Sequence, residues 1–250
     1  MVGPAPDFLA DHHVHSVFSD GRNTIAENVA QARCRGLHTL CLVDHVRADT
    51  DWVPRFVEAT TELIEADRAT HTEPLEIRRG VETKVLDRAG HLDLPPGLEE
   101  LDHILVADHR FPLADGPHDP REIRDGRTEG AWSDAELADS LLDAVENSLE
   151  AVAGRGILAH MFSILPKAGM SEDCLPSSRI DRLAARCAEL GVVVEANERW
   201  GCPSGRTLGH FVAHGVPVVC ATDSHRVETI GLYDRVRVLV AEAFAEDPER

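Results

Sequence analysis

The residues best suited to chemistry are crowded near the start of the chain, in Asp11-His12-His13-Val14-His15 followed at once by Ser19-Asp20-Gly21. The apolar lead-in Phe8-Leu9-Ala10 predicts a short strand. Strand side chains alternate faces, so Asp11, His13 and His15 are expected on one side and His12 and Val14 on the other. Two imidazoles two residues apart on one face can grip a single divalent cation, and Asp20 adds a carboxylate from the loop just beyond. A lone histidine in a strand is usually a satisfied polar residue. Three in four positions, with aspartates on both flanks, point to a metal site.

Holding such a group in place falls to a series of strand and helix units. Thr24 is placed to cap a helix carrying Ile25, Val29 and Ala32 at helical spacing until Gly36. Residues 39–43 are an uninterrupted apolar run that closes on Asp44-His45. Such runs mean burial on both faces, as in a parallel sheet covered by helices. A helix follows Pro54 through Phe56, Val57, Leu63 and Ile64, and strands at 75–81 and 104–107 then close on Glu82 and on Asp108-His109. Residues 110–132 are polar, rich in Pro, Gly and Arg and without periodicity, which predicts a long functional loop such as a lid. Ser133-Asp134-Ala135-Glu136 is a capping box that opens a helix with Leu137, Leu141, Val145, Leu149 and Val152 on its apolar stripe. Strands at 157–159, 192–194 and 216–221 end on His160, on Glu195-Ala196-Asn197 and on Thr222-Asp223-Ser224-His225. Helices are expected at 179–190, 207–213 and 233–245. Seven such units with no internal linker predict one α/β domain over residues 1–250, with parallel strands joined by right-handed crossovers into a closed or nearly closed barrel.

In a parallel barrel the C-terminal strand ends meet on one face, where active sites are built. The candidate ligands there are His13, His15, Asp20, His45, Glu82, His109, His160, Asp223 and His225. One zinc takes about four ligands, so this set suits two or three divalent ions with Glu82 as a bridge. Asp11, Asp44 and Glu195 are expected to accept the second imidazole N–H of ligating histidines and so orient them. Metal-bound water of lowered pKa could then act as a hydrolytic nucleophile without a protein one. Arg110, Lys84, Lys167, Arg199 and Arg226 are the phosphate candidates. Arg199 and Arg226 come first among them because they directly follow strand-end motifs. Trp132 and Trp200 could wall a pocket.

The formal charge of −19 argues against a long nucleic-acid track or an anionic membrane surface as partner. It leaves room for a small phosphorylated metabolite held by cations. No signal segment is evident in residues 1–6 and no apolar run is long enough to span a membrane. Six scattered cysteines without a CxxC suggest free thiols in a reducing cytoplasm. Only Lys84 and Lys167 break the otherwise uniform use of arginine.

Taken together, Asp11-x-His13-x-His15, Ser19-Asp20-Gly21, Asp44-His45, Gly80-Val81-Glu82, His109, Ala159-His160, Glu195-Ala196-Asn197 and Thr222-Asp223-Ser224-His225 resemble the PHP (polymerase and histidinol phosphatase) family over essentially the whole chain. The resemblance implies a distorted, TIM-like (β/α)7 barrel, a trinuclear cluster of zinc, manganese or iron, and phosphoesterase activity. It implies His13, His15, Glu82 and Asp223 on one metal, Asp20, His45 and His225 on a second, and Glu82, His109 and His160 on a third. The short spacing between Glu82 and the later motifs resembles the compact, histidinol-phosphatase-like branch. His160-Met161-Phe162 departs from the His-Pro of many members. Two other enzyme classes compete: a nucleotide phosphodiesterase or exonuclease using the same cluster, and an amidohydrolase-type C–N hydrolase. In the second of these Asp20, His45 and His225 would have no role. A non-catalytic, metal-stabilised module is disfavoured by the complete ligand set.

Overall fold

The computed structural model describes residues 5–245. Residues 1–4, part of the segment read for a targeting signal, lie outside the described residues. The first strand, β1 (Ala10–Val14), is followed by α1 (Ile25–Cys34), β2 (Thr39–His45), α2 (Val53–Thr70), β3 (Glu76–Lys84) and β4 (His103–Ala107). After an excursion come α4 (Asp134–Ser148), β7 (Gly156–Ala159), α5 (Ser177–Leu190), β8 (Val193–Asn197), α6 (Gly205–Ala213), β9 (Val218–Ala221) and α7 (Arg235–Ala243). The excursion holds a hairpin, β5 (Phe111–Leu113) and β6 (Gly116–His118), and a helix, α3 (Pro120–Glu129). Seven strands run parallel in the order β1-β2-β3-β4-β7-β8-β9. Val14 bridges to Ser224, the His15 N–H donates to the Ser224 carbonyl at 2.8 Å and the Ser224 N–H to the His13 carbonyl at 3.2 Å. These contacts nearly close the sheet into the expected TIM-like barrel.

Alternation along the apolar runs separates the inside of this barrel from its outside. Leu40 and Leu42 join the large core between sheet and helices, which includes Phe56 and Phe211. Cys41 and Val43 pack instead with Leu105, Ala107, Ile157 and Ala159, the plug of the barrel. Truncating a buried Phe of the outer core costs about 3–5 kcal/mol. Gly80 belongs to the inner series, where an added Cβ would come within 3.2 Å of Val43 and 3.4 Å of Cys41. Continued by two residues per step, the same inner series reaches His45, Glu82, His109, Glu195 and Asp223 at the C-terminal rim. One apolar pattern thus fills the barrel and aims the polar strand ends.

Helix boundaries follow local chemistry. Thr24 and Ser133 each form a complete capping box, with Glu27 and Glu136. Residues 110–132, expected to be a loop, are ordered instead. Asp119 caps α3, Pro120 takes its first position, and Gly130 ends it in the left-handed conformation. Phe111 and Ile123 are fully buried, and the Arg127 guanidinium donates to the carbonyls of Ala168 and Gly169 at 2.8 and 3.0 Å. No described helix is long and apolar enough to cross a membrane.

Candidate metal centre

The first strand departs from simple alternation. Asp11 pairs with Leu40 and Val14 with Leu42, so two residues, His12 and His13, oppose the single residue Cys41. This bulge puts Asp11 on the outer face with Leu40, not beside His13 as alternation predicts. The Asp11 carboxylate accepts from the Thr222 hydroxyl (2.6 Å), the Thr222 N–H (3.0 Å) and the Gly231 N–H (3.0 Å), and touches no imidazole. It fastens β1 to the turn after β9. Burial, partly offset by these bonds, pushes its pKa up to about 6.

Asp44 also misses the imidazoles, because it lies on the outer parity of β2. It accepts from the N–H and hydroxyl of Ser16 (3.0 and 2.6 Å) and of Ser19 (3.1 and 2.5 Å), and so ties down the loop that presents Asp20. Gly21 closes that loop, and a Cβ there would lie 2.6 Å from the His15 carbonyl carbon. Of the three carboxylates expected to orient histidines, Glu195 alone does so. Its Oε2 lies 3.0 Å from His13 Nδ1, while Oε1 accepts from the His160 N–H at 2.9 Å and from the Asn197 side chain at 2.6 Å.

Glu82 sits at the centre of the group. Its Oε1 lies 2.8 Å from His160 Nε2 and 3.1 Å from His109 Nε2. Its Oε2 is approached by His45 Nδ1 at 2.9 Å, His13 Nε2 at 3.3 Å and His15 Nε2 at 3.4 Å. Asp223 Oδ1 stands 3.3 Å from His15 Nε2 and 3.4 Å from His225 Nδ1. Asp20 Oδ1 faces His225 (3.2 Å), His45 (3.5 Å) and His15 (3.8 Å). All nine candidate ligands therefore meet at one rim. Potential ligand atoms come within 4.8 Å of one another in three sets: His15, Asp20, His45 and His225; His13, His15 and Asp223; and His45, Glu82 and His109. His45 stands between two of these sets, and His160 meets Glu82 outside them.

Two of the candidate ligand residues hold unusual backbone. His160 has φ +34° and Asp223 φ +52°. The inner series of β7 runs through Ile157 and Ala159, so regular alternation would turn His160 outward. The left-handed turn re-aims it at Glu82, a local strain of the kind kept at functional sites.

The charges are coupled. Burial opposes ionisation of Glu82, but His109 and His13 overcome it and hold its carboxyl well below the usual range. Burial is likewise overridden at His45 by Asp20 and Glu82, and at His160 by Asp108 and Glu82, so both imidazoles are held up at about 10. Burial drives His15 down to about 4. Hydrogen bonds from His225 and His45 lower Asp20 far below its usual value. The cluster balances its carboxylates with protons, which divalent cations would displace. Two further features fit a cation. Glu82 Oε2 and His15 Nδ1 are buried with no hydrogen-bond partner, and the Nε2 atoms of His13 and His15 converge to 2.9 Å. Nitrogen and carboxylate donors of this kind suit Zn, Mn or Fe.

The cluster floors a cleft of about 630 Å³ walled by Trp52, Trp200 and Arg199. Arg199 Nη1 lies 2.7 Å from His225 Nδ1 and 3.4 Å from Asp223 Oδ1. Arg226 does not line this cleft: its exposed side chain lines an adjoining hollow with Thr229, which Arg199, Asp223 and His225 also border. Lys84 and Arg110 do line it, and Lys167 lies 3.9 Å over the Trp200 ring from the neighbouring hollow. Two residues that the strand-end pattern did not single out also serve the site. Asp108, buried, faces His160 Nδ1 at 3.8 Å and accepts from Ser163 at 3.1 Å. Trp200 Nε1–H donates to Asp223 Oδ2 at 2.8 Å. Asp108 precedes His109 in the sequence but carries the outer parity of β4, which gave no reason to expect it at His160.

A nearly closed parallel barrel with a histidine–carboxylate centre at its C-terminal rim defines the class. The PHP domain matches residues 11–199, and the chain belongs to that family. It is 27% identical to a protein named probable phosphatase from Clostridium acetobutylicum over 93% of this chain and 85% of the relative. It is 33% identical to a probable phosphatase from a Thermoanaerobacter species over 107 residues, a segment spanning 40% of each protein. Among solved structures, histidinol phosphate phosphatase from Lactococcus lactis, crystallised with zinc, L-histidinol and phosphate, superposes with a TM-score of 0.66 at 17% identity, covering 94% of this chain and 93% of that one. The expected family and barrel are borne out.

Proposed function

We propose that the protein is a metal-dependent phosphoesterase that hydrolyses a small phosphomonoester. The observation that carries this reading is the convergence of five imidazoles on buried Glu82 at the floor of an open cleft. Family membership and the names of the relatives support it. His13, His15, Asp20, His45, Glu82, His109, His160, Asp223 and His225 would hold two to three divalent ions of zinc, manganese or iron. Bound there, such ions supply positive charge for the phosphoryl oxygens and acidify a water. Water oxygen joins phosphorus, the ester P–O bond breaks, and the leaving oxygen takes a proton, giving an alcohol and inorganic phosphate. Glu195 fixes the His13 ring, Asp44 fixes the Asp20 loop, and Arg199 has N–H groups left over for phosphoryl oxygens. Trp200 holds Asp223 in place from the cleft wall.

The test combines metal analysis with phosphate release from p-nitrophenyl phosphate in added Mn or Zn. Two to three metal equivalents are expected, with activity lost in both His160→Ala and Asp223→Ala. A reproducible single equivalent would overturn the polynuclear reading, and activity surviving both changes would remove the site from the chemistry.

A further inference from the structure

The charged residues lining the cleft are sorted by sign. The acidic ones, Asp20, Glu82 and Asp223, all belong to the histidine cluster. Outside the cluster every charged lining residue is basic: Arg47, Lys84, Arg110 and Arg199. This holds in a chain with 44 acidic against 25 basic residues. Chance placement would put carboxylates among them. The strand order also divides the four bases. Arg47, Lys84 and Arg110 follow or end β2, β3 and β4, three adjacent strands, whereas Arg199 follows β8 on the other side of the rim.

The three-residue group is built and braced. Asp93 accepts from Lys84 Nζ at 2.7 Å through Oδ2 and from the Ala48 N–H at 2.8 Å through Oδ1, so one carboxylate positions both Lys84 and the Arg47 loop. The Arg47 N–H is further held by the Thr50 hydroxyl at 2.8 Å. Asp119, the cap of α3, accepts from Arg110 Nη1 at 2.6 Å, so the ordered 110–132 excursion braces the third base. Among the described residues no carboxylate pairs with the Arg47 side chain. A lysine has three donors and an arginine five, and exposed ion pairs are weak, so the bracing contacts leave donors for a ligand.

We infer that the substrate carries a second anionic group, a carboxylate or another phosphate, on its leaving-group side, held by Arg47, Lys84 and Arg110. This rests on the phosphoesterase reading, with the scissile phosphoryl group over the cluster and beside Arg199. Electrostatic complementarity of this kind selects among phosphomonoesters: it favours leaving groups with a second negative charge and disfavours those carrying an ammonium.

Binding of non-hydrolysable phosphonates tests this without turnover. The full-length protein with Mn in excess is titrated calorimetrically with ethylphosphonate, carboxyethylphosphonate and propylene bisphosphonate. The second and third compounds separate the carboxylate and phosphate sources of the second charge. At least one of the two is expected to bind about tenfold more tightly than ethylphosphonate. Arg47→Glu should remove most of that advantage, weakening the two-anion ligand about tenfold more than ethylphosphonate. Equal affinity for all three would overturn the inference, as would Arg47→Glu weakening all three alike. Hydrolysis of p-nitrophenyl phosphate, measured in parallel, reports on the phosphoesterase reading separately: activity with equal phosphonate affinities removes only the second-anion subsite.

Discussion

The barrel carries histidines at both ends, and apart from His15, which burial also drives down, the shifted histidines of the two ends move in opposite directions. At the C-terminal rim His45 and His160 are held up at about 10, the opposing effect of burial being overridden by Asp20 and Glu82 at His45 and by Asp108 and Glu82 at His160. At the other end His12 is driven down to about 4 by burial, then by His103 and Arg78, and His103 is lowered by burial and Arg78. The difference traces to one strand. Arg78 and Glu82 lie on the same face of β3, paired across to Cys41 and His45. Arg78 meets His103 Nε2 at 3.2 Å and neutralises itself against Glu76 at 2.7 Å, whereas Glu82 gathers five imidazoles and keeps one oxygen without a hydrogen-bond partner. Histidine density does not make a cation site. The charge placed among the histidines does.

The comparison breaks most visibly at Glu82. Glu82→Gln keeps the shape and removes the charge, and should lower phosphate release by about 10³-fold while reducing the metal content of purified protein. Unchanged metal content would show that Glu82 is not the organising charge. Glu195→Gln leaves the cluster intact but loosens the His13 ring. It should weaken metal affinity about 10–100-fold, read by competition with a chelator, at an unchanged fold by circular dichroism.

The raised rim histidines and the lowered His12 also predict opposite pH windows for metal-free protein. His45 and His160 are raised in the folded state, so their contribution is complete below the unfolded value of 6.5 and is lost as pH rises toward about 10. His12 is lowered, so the unfolded chain takes up its proton first and stability falls as pH drops from 6.5 toward about 4. A Tm-versus-pH profile in chelator should therefore decline on both sides. Glu82→Gln should flatten the alkaline limb, because its imidazole partners lose their raised pKa values, and His12→Gln should soften the limb between 6.5 and about 4, to which His15 also contributes. A Glu82→Gln profile with its alkaline limb intact, or a His12→Gln profile with its acid limb intact, would refute the assignment. The smallest effect belongs to Arg78→Met. It removes a partly exposed ion pair and should shift stability by about 1 kcal/mol or less, with phosphate release unchanged.

Much of this was legible in the chain because the decisive features are local. Runs such as 39–43 mark buried strands by composition alone, and Thr24 and Ser133 mark helix starts through bonds made within four residues. The 110–132 excursion was also legible in part, in Asp119-Pro120 and Gly130, but its lack of apolar periodicity concealed an ordered helix. That helix is held largely by Ile123 and by Arg127 reaching the Ala168 carbonyl.

What remained hidden depends on pairing between distant segments. The β1 bulge exists only in register against β2, so Asp11 could not be seen to face outward toward Thr222. Arg199 and Arg226 follow equivalent motifs, and only the path of the loops after β8 and β9 puts one in the cleft and the other in an adjoining hollow.

By itself the sequence determined the nine side chains at the strand ends, the alternation that fills the barrel, and hence the class of chemistry. Those follow from the period of a strand, which each segment carries within itself. Tertiary structure alone decided which carboxylates touch imidazoles, how His160 is turned inward, and that the cleft's bases stand apart from its acids. These are properties of closure, because a rim is shared by strands that are far apart in the chain.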